Sequence, residues 1–159
     1  MWLYRILIAL LTPLILLKVR RFKKDYANYR AKEAFGLWPT VDADLWIHCA
    51  SVGEVLAVRP LVSQWQEKYP SHRLLITTMT PTGAEQVEKN FPFAQHRYLP
   101  MDWRFSVKRA LNALSCKHLL VVETELWPNL LQQAKRRGLR VDVVNARLSE
   151  RSFLRYQKF

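Results

Sequence analysis

Three glutamates that follow strand-like runs of the sequence have the chemistry of a general acid or base. Glu54 lies four residues after the run Leu45–Ala50, and Glu123 and Glu125 follow the run His118–Val122. A carboxylate near the end of a strand can take a proton from a substrate hydroxyl if its pKa is raised toward neutrality. Because the start of a helix lowers that pKa, Glu54 needs apolar walls or a second carboxylate to act as a base.

Glu123 is our candidate for that second carboxylate, because the fourth strand of a doubly wound sheet commonly neighbours the first. Glu123 and Glu125 share a face while the strand continues, since only Thr124 separates them. The alternatives are a structural ion pair for these two glutamates and a helix-capping role for Glu54. Trp127 and Pro128 predict a rigid helix start.

Hydroxyl, glycine, carboxylate and arginine residues after the strands could bind a substrate. A helix N-terminus with a nearby hydroxyl accepts phosphate or sugar groups, and arginine pairs with phosphate or carboxylate. The alternatives are helix capping for the hydroxyls, a relaxed turn for the glycines and a surface ion pair for the arginine. The candidate substrate-binding residues are Ser51, Gly53, Thr80, Thr82, Gly83, Glu125 and Arg147.

The other titratable residues point to no second site. His48 lies inside a strand-like run and is interpreted as a core histidine, and Glu33 as a surface carboxylate on a helix. The two cysteines, Cys49 and Cys116, lack the spacing of a zinc site and are interpreted as reduced thiols. We expect no metal and no cofactor, since no Ser-His-Asp set or ligand cluster is evident.

The elements that must position these residues are strands and helices in alternation. Apolar residues recur at helical spacing between the strand-like runs, as in the segment 54–69. This alternation predicts a Rossmann-like α/β domain, a parallel sheet of about five strands with helices on both faces. Ligands bind at the carboxyl ends of such strands. The predicted strands are Leu45–Ala50, Arg73–Thr78, His96–Leu99, His118–Val122 and Arg140–Val144.

The net charge of +12 lies at the two ends of the chain. Residues 1–35 and 135–159 each hold eight basic and two acidic side chains, whereas residues 36–134 hold nine of each. A basic cluster directly after an apolar segment favours an anionic membrane surface over nucleic acid. We therefore predict a membrane anchor at 1–22, a basic linker and helix at 23–44, and the Rossmann-like domain at 45–159.

The anchor could lie on the membrane or cross it. Its uninterrupted apolar stretch, 6–17, has 12 residues, fewer than the roughly 20 that span a bilayer. A core helix kinked at Pro13 is the alternative. The basic cluster predicts that the rest of the chain stays in the cytoplasm.

Five motifs in order closely resemble the amino-terminal half of 3-deoxy-D-manno-octulosonic acid (Kdo) transferases. The resemblance runs from the anchor to Ser152. The motifs are Ala50-Ser-Val-Gly-Glu54, Thr77-Thr-Met-Thr-Pro-Thr-Gly83, Tyr98-Leu-Pro-Met-Asp102, Glu123-Thr-Glu-Leu-Trp-Pro-Asn129 and Asn145-Ala-Arg-Leu-Ser-Glu-Arg-Ser152.

The resemblance implies a GT-B glycosyltransferase with two Rossmann-like domains, on the cytoplasmic face of the inner membrane. Such an enzyme moves Kdo from CMP-Kdo to the lipid A precursor (lipid IVA) with inversion, in lipopolysaccharide core biosynthesis. It implies that Glu54 is the general base and that Glu123 assists the transition state. The CMP-Kdo-binding domain is expected to be absent from this chain, so that the fragment alone is inactive.

The sequence also bears on two other function classes. A dinucleotide-dependent oxidoreductase is disfavoured because no G-x-G-x-x-G follows the first predicted strand. A membrane-anchored module that binds a lipid or a partner protein without catalysis remains the alternative for the isolated domain.

Overall fold

Five strands form a parallel sheet, as the sequence predicts. Four of them are mainly apolar, whereas the edge strand has the sequence Gln95-His-Arg-Tyr98. The computed structural model describes residues 2–146, and the sheet has the strand order β4-β3-β2-β6-β7. Strand β2 pairs with both β3 and β6. The prediction that the first and fourth strands of the sequence, here β2 and β6, lie side by side is therefore confirmed. The strands are β1 Val41–Asp42, β2 Leu45–His48, β3 Leu74–Thr78, β4 Gln95–Tyr98, β5 Leu114–Ser115, β6 His118–Val122 and β7 Arg140–Val144.

Helices cover both faces of the sheet. Trp46 packs in one buried cluster with residues of α5 and α6, and the next residue, Ile47, packs in another with residues of α2, α3 and α4. Consecutive strand residues point to opposite faces, so the two clusters are the two sides of the sheet. The helices are α1 Trp2–Asp25, α2 Val52–Ala57, α3 Arg59–Lys68, α4 Pro81–Asn90, α5 Arg104–Ala113 and α6 Pro128–Arg136.

Several element boundaries differ from the prediction. The segment 54–69, predicted as one helix, belongs to two helices, α2 and α3, that are separated at Val58. The break occurs there because Pro60 lacks the N–H group that a continuing helix requires. Strand β2 ends at His48 rather than Ala50. Strands β1 and β5 form a separate two-stranded parallel sheet, and their two residues each are too few for a sequence pattern.

The amino-terminal segment forms one long helix, α1, which continues through Pro13 and ends three residues beyond the predicted anchor. Ile8 and Val19 are buried against the domain, whereas a broad apolar face is exposed. The helix is therefore not a buried core helix. None of the helices in residues 2–146 meets the length and hydropathy that a membrane span requires. The exposed residues are Leu3, Ile6, Leu7, Leu10, Leu11, Leu14, Leu16 and Leu17.

The segment that follows α1 contains a 3-10 helix, Ala31–Phe35, that packs against the sheet edge. The interpretation of Glu33 as a surface carboxylate is wrong, because Glu33 is 4% exposed. Its Oε2 accepts the backbone N–H of Tyr98 at 2.7 Å, and Arg30 donates to its Oε1 at 2.8 Å. Strand β4 is an edge strand whose N–H groups need acceptors, and the buried carboxylate supplies one.

Candidate active site

Glu54 lies in the first turn of α2, directly above the carboxyl end of β2. The Ser51 backbone is extended at the N-cap position, so the chain turns sharply from strand to helix there. Glu54 is 7% exposed. Its Oε2 accepts the N–H of Ala50 at 2.7 Å and its Oε1 accepts the Ser51 hydroxyl at 2.9 Å. These two hydrogen bonds fix the carboxylate in one orientation. They do not cap an N–H group of α2, because Ala50 precedes the N-cap residue Ser51.

The environment of Glu54 favours its protonated form. Burial raises the pKa of this carboxyl above its ordinary value, and the charges of Glu125 and Glu123 add to the rise. The hydrogen bonds from Ala50 and Ser51 oppose it. Burial and neighbouring carboxylates therefore both oppose the pKa-lowering effect of the helix start.

Glu123 occupies a sparsely populated backbone conformation, with φ at 59°. Its N–H donates to the carbonyl of Val144 at 2.9 Å, which holds the end of β6 against β7. Because β6 ends at Val122, Glu123 and Glu125 do not share a strand face as predicted. Their charges nevertheless act on Glu54 from two positions. Positive φ in a non-glycine residue costs energy and is often found at functional sites.

Glu125 and Trp127 form a fixed corner before α6. The indole Nε1 of Trp127 donates to Oε2 of Glu125 at 2.9 Å. Pro128 is the first residue of α6, so the predicted rigid helix start is confirmed. An open cavity of about 330 Å³ lies here, lined by Tyr4, Thr124, Glu125, Leu126, Trp127 and Pro128. Another cavity, about 590 Å³, lies at the amino ends of the strands and includes none of the candidate residues.

Ser51 and Gly53 have different local roles. The Ser51 hydroxyl donates to Glu54 rather than capping α2. Among residues 2–146, a Cβ added to Gly53 meets only the Ser51 Oγ, at 3.9 Å, so within this part of the chain neither packing nor backbone conformation requires glycine at this position. The backbone at the start of α2 is therefore open to close approach by a ligand.

The Thr80 loop is built by its own hydrogen bonds. Thr80 Oγ1 accepts the N–H of Gly83 at 3.1 Å, so Thr80 is the N-cap of α4. A Cβ on Gly83 comes within 3.0 Å of Thr80 Oγ1 and 3.2 Å of the Thr78 side chain, which gives this glycine a packing role. Thr82 is exposed beside them. The Thr82 hydroxyl donates a long hydrogen bond of 3.4 Å to Thr80 Oγ1, and its exposure leaves it accessible to a ligand.

Asp102 lies in the loop between β4 and α5, and the sequence did not reveal its role. Its carboxylate accepts the N–H groups of Asn129 and Leu130 at 2.9 and 2.8 Å, and the hydroxyl of Tyr4 at 2.7 Å. It therefore caps α6 from a distant loop and also ties α1 to that helix start. Its position after the third long strand was the available signal, but a cap supplied from 27 residues away leaves no local pattern.

Three remaining predictions concern His48, Arg147 and metals. His48 is fully buried, burial lowers its pKa to about 4, and its Nδ1 contacts Thr77, so the interpretation as a core histidine is confirmed. The expectation that its hydrogen bonds are satisfied is wrong, because the buried Nε2 has no hydrogen-bond partner within residues 2–146. Arg147 lies outside the described residues. Within residues 2–146, no three His, Cys, Asp or Glu side chains come together as metal ligands.

Comparison with known proteins gives one consistent family. Residues 20–159 match the family model described as 3-deoxy-D-manno-octulosonic-acid transferase (kdotransferase). The 3-deoxy-D-manno-octulosonic acid transferase of Haemophilus influenzae is 41% identical over 98% of this chain and 38% of its own length. A bifunctional glycosyltransferase/methyltransferase of Fusobacterium nucleatum is 34% identical over 87% of this chain and 20% of its own length.

A plant protein shows the same relationship at lower identity. The probable mitochondrial 3-deoxy-D-manno-octulosonic acid transferase of Arabidopsis thaliana is 29% identical over 97% of this chain and 36% of its own length. The chain thus spans between 20% and 38% of the length of these three relatives.

Proposed function

Because the chain belongs to the Kdo transferase family, we propose that it is the acceptor-side half of an inverting glycosyltransferase. The reaction is transfer of Kdo from CMP-Kdo to the lipid A precursor, lipid IVA, in lipopolysaccharide core biosynthesis. The observation that carries this proposal is a buried Glu54 that two hydrogen bonds fix at the carboxyl end of β2, where burial and the charges of Glu125 and Glu123 raise its pKa. This is the environment that a general base for a sugar hydroxyl needs.

Glu54 takes the proton from the attacking hydroxyl of the acceptor. As that oxygen forms its bond to the anomeric carbon of Kdo, the bond from this carbon to the CMP phosphate oxygen breaks on the opposite face. CMP leaves with the bonding electrons, and the configuration at the anomeric carbon inverts. The hydrogen bonds from Ala50 and Ser51 hold the carboxylate at the start of the reaction, which lowers the entropy cost of alignment.

Glu123 assists the transition state. Positive charge develops on the sugar ring as the leaving group departs, and a nearby carboxylate stabilises that charge. The strained backbone at Glu123 is consistent with a position kept for function. We assign substrate contacts to Ser51, Gly53, Thr82 and Glu125, and we include Arg147 on the strength of the sequence motif. Thr80 and Gly83 shape the loop that presents Thr82.

We place the protein on the cytoplasmic face of the inner membrane, with α1 lying in the bilayer surface. The exposed leucines of this helix offer an apolar face. Its last two turns carry a basic cluster, which consists of Lys18, Arg20, Arg21, Lys23 and Lys24. Apolar insertion together with a basic cluster is typical of interfacial helices. The lipid acceptor then reaches the site from the membrane to which the enzyme is bound.

Turnover of a chimera tests the reaction. Residues 1–159 replace the matching segment of the Haemophilus influenzae relative, and release of CMP from CMP-Kdo is measured with lipid IVA as acceptor. We expect Glu54→Gln to lower kcat by about 100- to 10,000-fold. Glu67→Gln, an exposed carboxylate of α3, is the matched control and should retain the wild-type rate.

The same experiment separates the alternative. A chimera that binds lipid IVA but releases no CMP, beside an active relative, supports a lipid-binding module instead of a transferase domain. Near-normal turnover of the Glu54→Gln chimera removes the assigned base.

A further inference from the structure

Helices α5 and α6 carry five cations and no carboxylate, and Arg137, the C-cap residue of α6, adds a sixth cation. Within residues 2–146, none of these cations pairs with an acidic side chain. The outer side of the two helices contains a groove of about 190 Å³ lined by Arg104, Lys108, Gln133, Arg136 and Arg137. We call this surface the basic face, and its six cations are Arg104, Lys108, Arg109, Lys135, Arg136 and Arg137.

The groove is held open by contacts between the two helices. Gln133 Nε2 donates to the carbonyl of Arg104 at 3.0 Å, which joins the start of α5 to the middle of α6. Arg137 donates to the carbonyl of Leu111 and to the side chain of Asn112. Arg104, Lys108 and Arg136 remain exposed along the groove.

An exposed aromatic residue lies on the basic face. Phe105 is 53% exposed and stacks on Trp103 with ring centres 5.7 Å apart. Trp103 in turn stacks on Phe35 at 5.9 Å, and the guanidinium of Arg109 lies 5.6 Å from the Phe105 ring centre. A supported aromatic ring between cations is typical of surfaces that enter the headgroup layer of a bilayer.

The basic face adjoins the apolar helix α1. Arg5 donates to the side chains of Asn129 and Gln132 on α6, each at 3.4 Å. Tyr4 donates to Asp102 at 2.7 Å, two residues before α5 begins. A surface that combines these cations with the exposed leucines of α1 matches an anionic bilayer, which offers both phosphates and hydrocarbon. Nucleic acid offers only the phosphates.

We propose that the basic face is a second membrane-docking surface, which binds the anionic headgroups of a lipid bilayer and sets the orientation of the domain. The inference goes beyond sugar transfer and beyond the anchoring role of α1. Anionic lipids attract juxtamembrane cations at close range, so each cation contributes separately.

Vesicle binding of the 159-residue chain tests the proposal. Partitioning is measured on vesicles of phosphatidylcholine with one-third phosphatidylglycerol and on phosphatidylcholine alone. The variant Arg104→Gln/Lys108→Gln/Arg136→Gln should bind the anionic vesicles about 100-fold more weakly, since each cation near the surface contributes about fivefold. Its binding to neutral vesicles, through α1, should equal that of the wild type, and an unchanged urea-unfolding midpoint shows that the variant is folded.

The matched control removes the same charge from the other face of the sheet. Arg59→Gln/Lys68→Gln/Lys89→Gln changes exposed residues of α3 and α4 and should lose less than about fivefold. Phe105→Ser should weaken binding to anionic vesicles, whereas Phe93→Ser, a ring of similar exposure outside the basic face, should not.

Three results overturn the proposal. Equal losses in the two triple variants mean that net charge alone drives binding. Unchanged binding of the Arg104/Lys108/Arg136 variant means that the basic face does not touch the membrane. A wild-type chain that binds a duplex oligonucleotide through these three cations more tightly than it binds the vesicles identifies a nucleic-acid surface instead.

Discussion

Gly36 should be irreplaceable where the 3-10 helix meets α5. Its φ is +75°, and a Cβ built on it lies 1.9 Å from the backbone oxygen of Ser106. An alanine in the left-handed region costs about 1–2 kcal/mol, and the collision adds about 1–3 kcal/mol of overpacking. We therefore expect Gly36→Ala to lower the free energy of unfolding by about 2–5 kcal/mol.

Gly138 provides the matched control for this prediction. Its φ is +77°, but no described residue lies within 4 Å of an added Cβ, so Gly138→Ala should cost only the backbone contribution of about 1–2 kcal/mol. In urea unfolding with an m-value of about 2 kcal/mol per molar, the extra collision of about 2 kcal/mol lowers the midpoint by about 1 M more. Equal midpoints for the two variants refute the close packing of the 3-10 helix on α5.

Two further predictions concern residues at the carboxyl ends of the strands. Asp102→Ala leaves two N–H groups of α6 and a tyrosine hydroxyl without their acceptor. It should lower the free energy of unfolding, measured in urea, by about 2–4 kcal/mol. The control Asp25→Ala loses an exposed ion pair and should lower that free energy by less than about 1 kcal/mol. Gly53→Ala should not destabilise the chain but should lower kcat/KM of the chimera at least about tenfold. Gly83→Ala should instead lower the free energy of unfolding by about 1–3 kcal/mol. A destabilised Gly53→Ala with normal kcat/KM contradicts the open approach to α2.

Features with a repeating local pattern were predictable from the sequence. All five strands of the main sheet overlap their predicted runs. Four of these are mainly apolar runs bounded by polar residues, which have few other ways to be buried. The neighbourhood of β2 and β6 followed from the rules of doubly wound sheets. That topology is why Glu54 and Glu123, far apart in sequence, could be expected to interact.

Features that depend on a distant partner were not predictable. Glu33 is buried because an edge-strand N–H and two arginines surround it, and none of these contacts has a local signature. The same holds for Asp102, whose partners lie on α1 and α6. The positive φ of Glu123 depends on where β6 stops pairing, which the aliphatic run that precedes it does not show.

The titration of Glu54 itself tests the central claim most directly. The side-chain carboxyl of Glu54 in the 159-residue chain can be followed by carbon-detected NMR as the pH is varied, with Glu54→Gln used for assignment. We expect a midpoint above the ordinary value of 4.5. Glu125→Gln should lower that midpoint, because removing a neighbouring negative charge favours the ionised form. A midpoint at or below 4.5, or one that Glu125→Gln leaves unchanged, contradicts the assignment of Glu54 as the base of a carboxylate cluster.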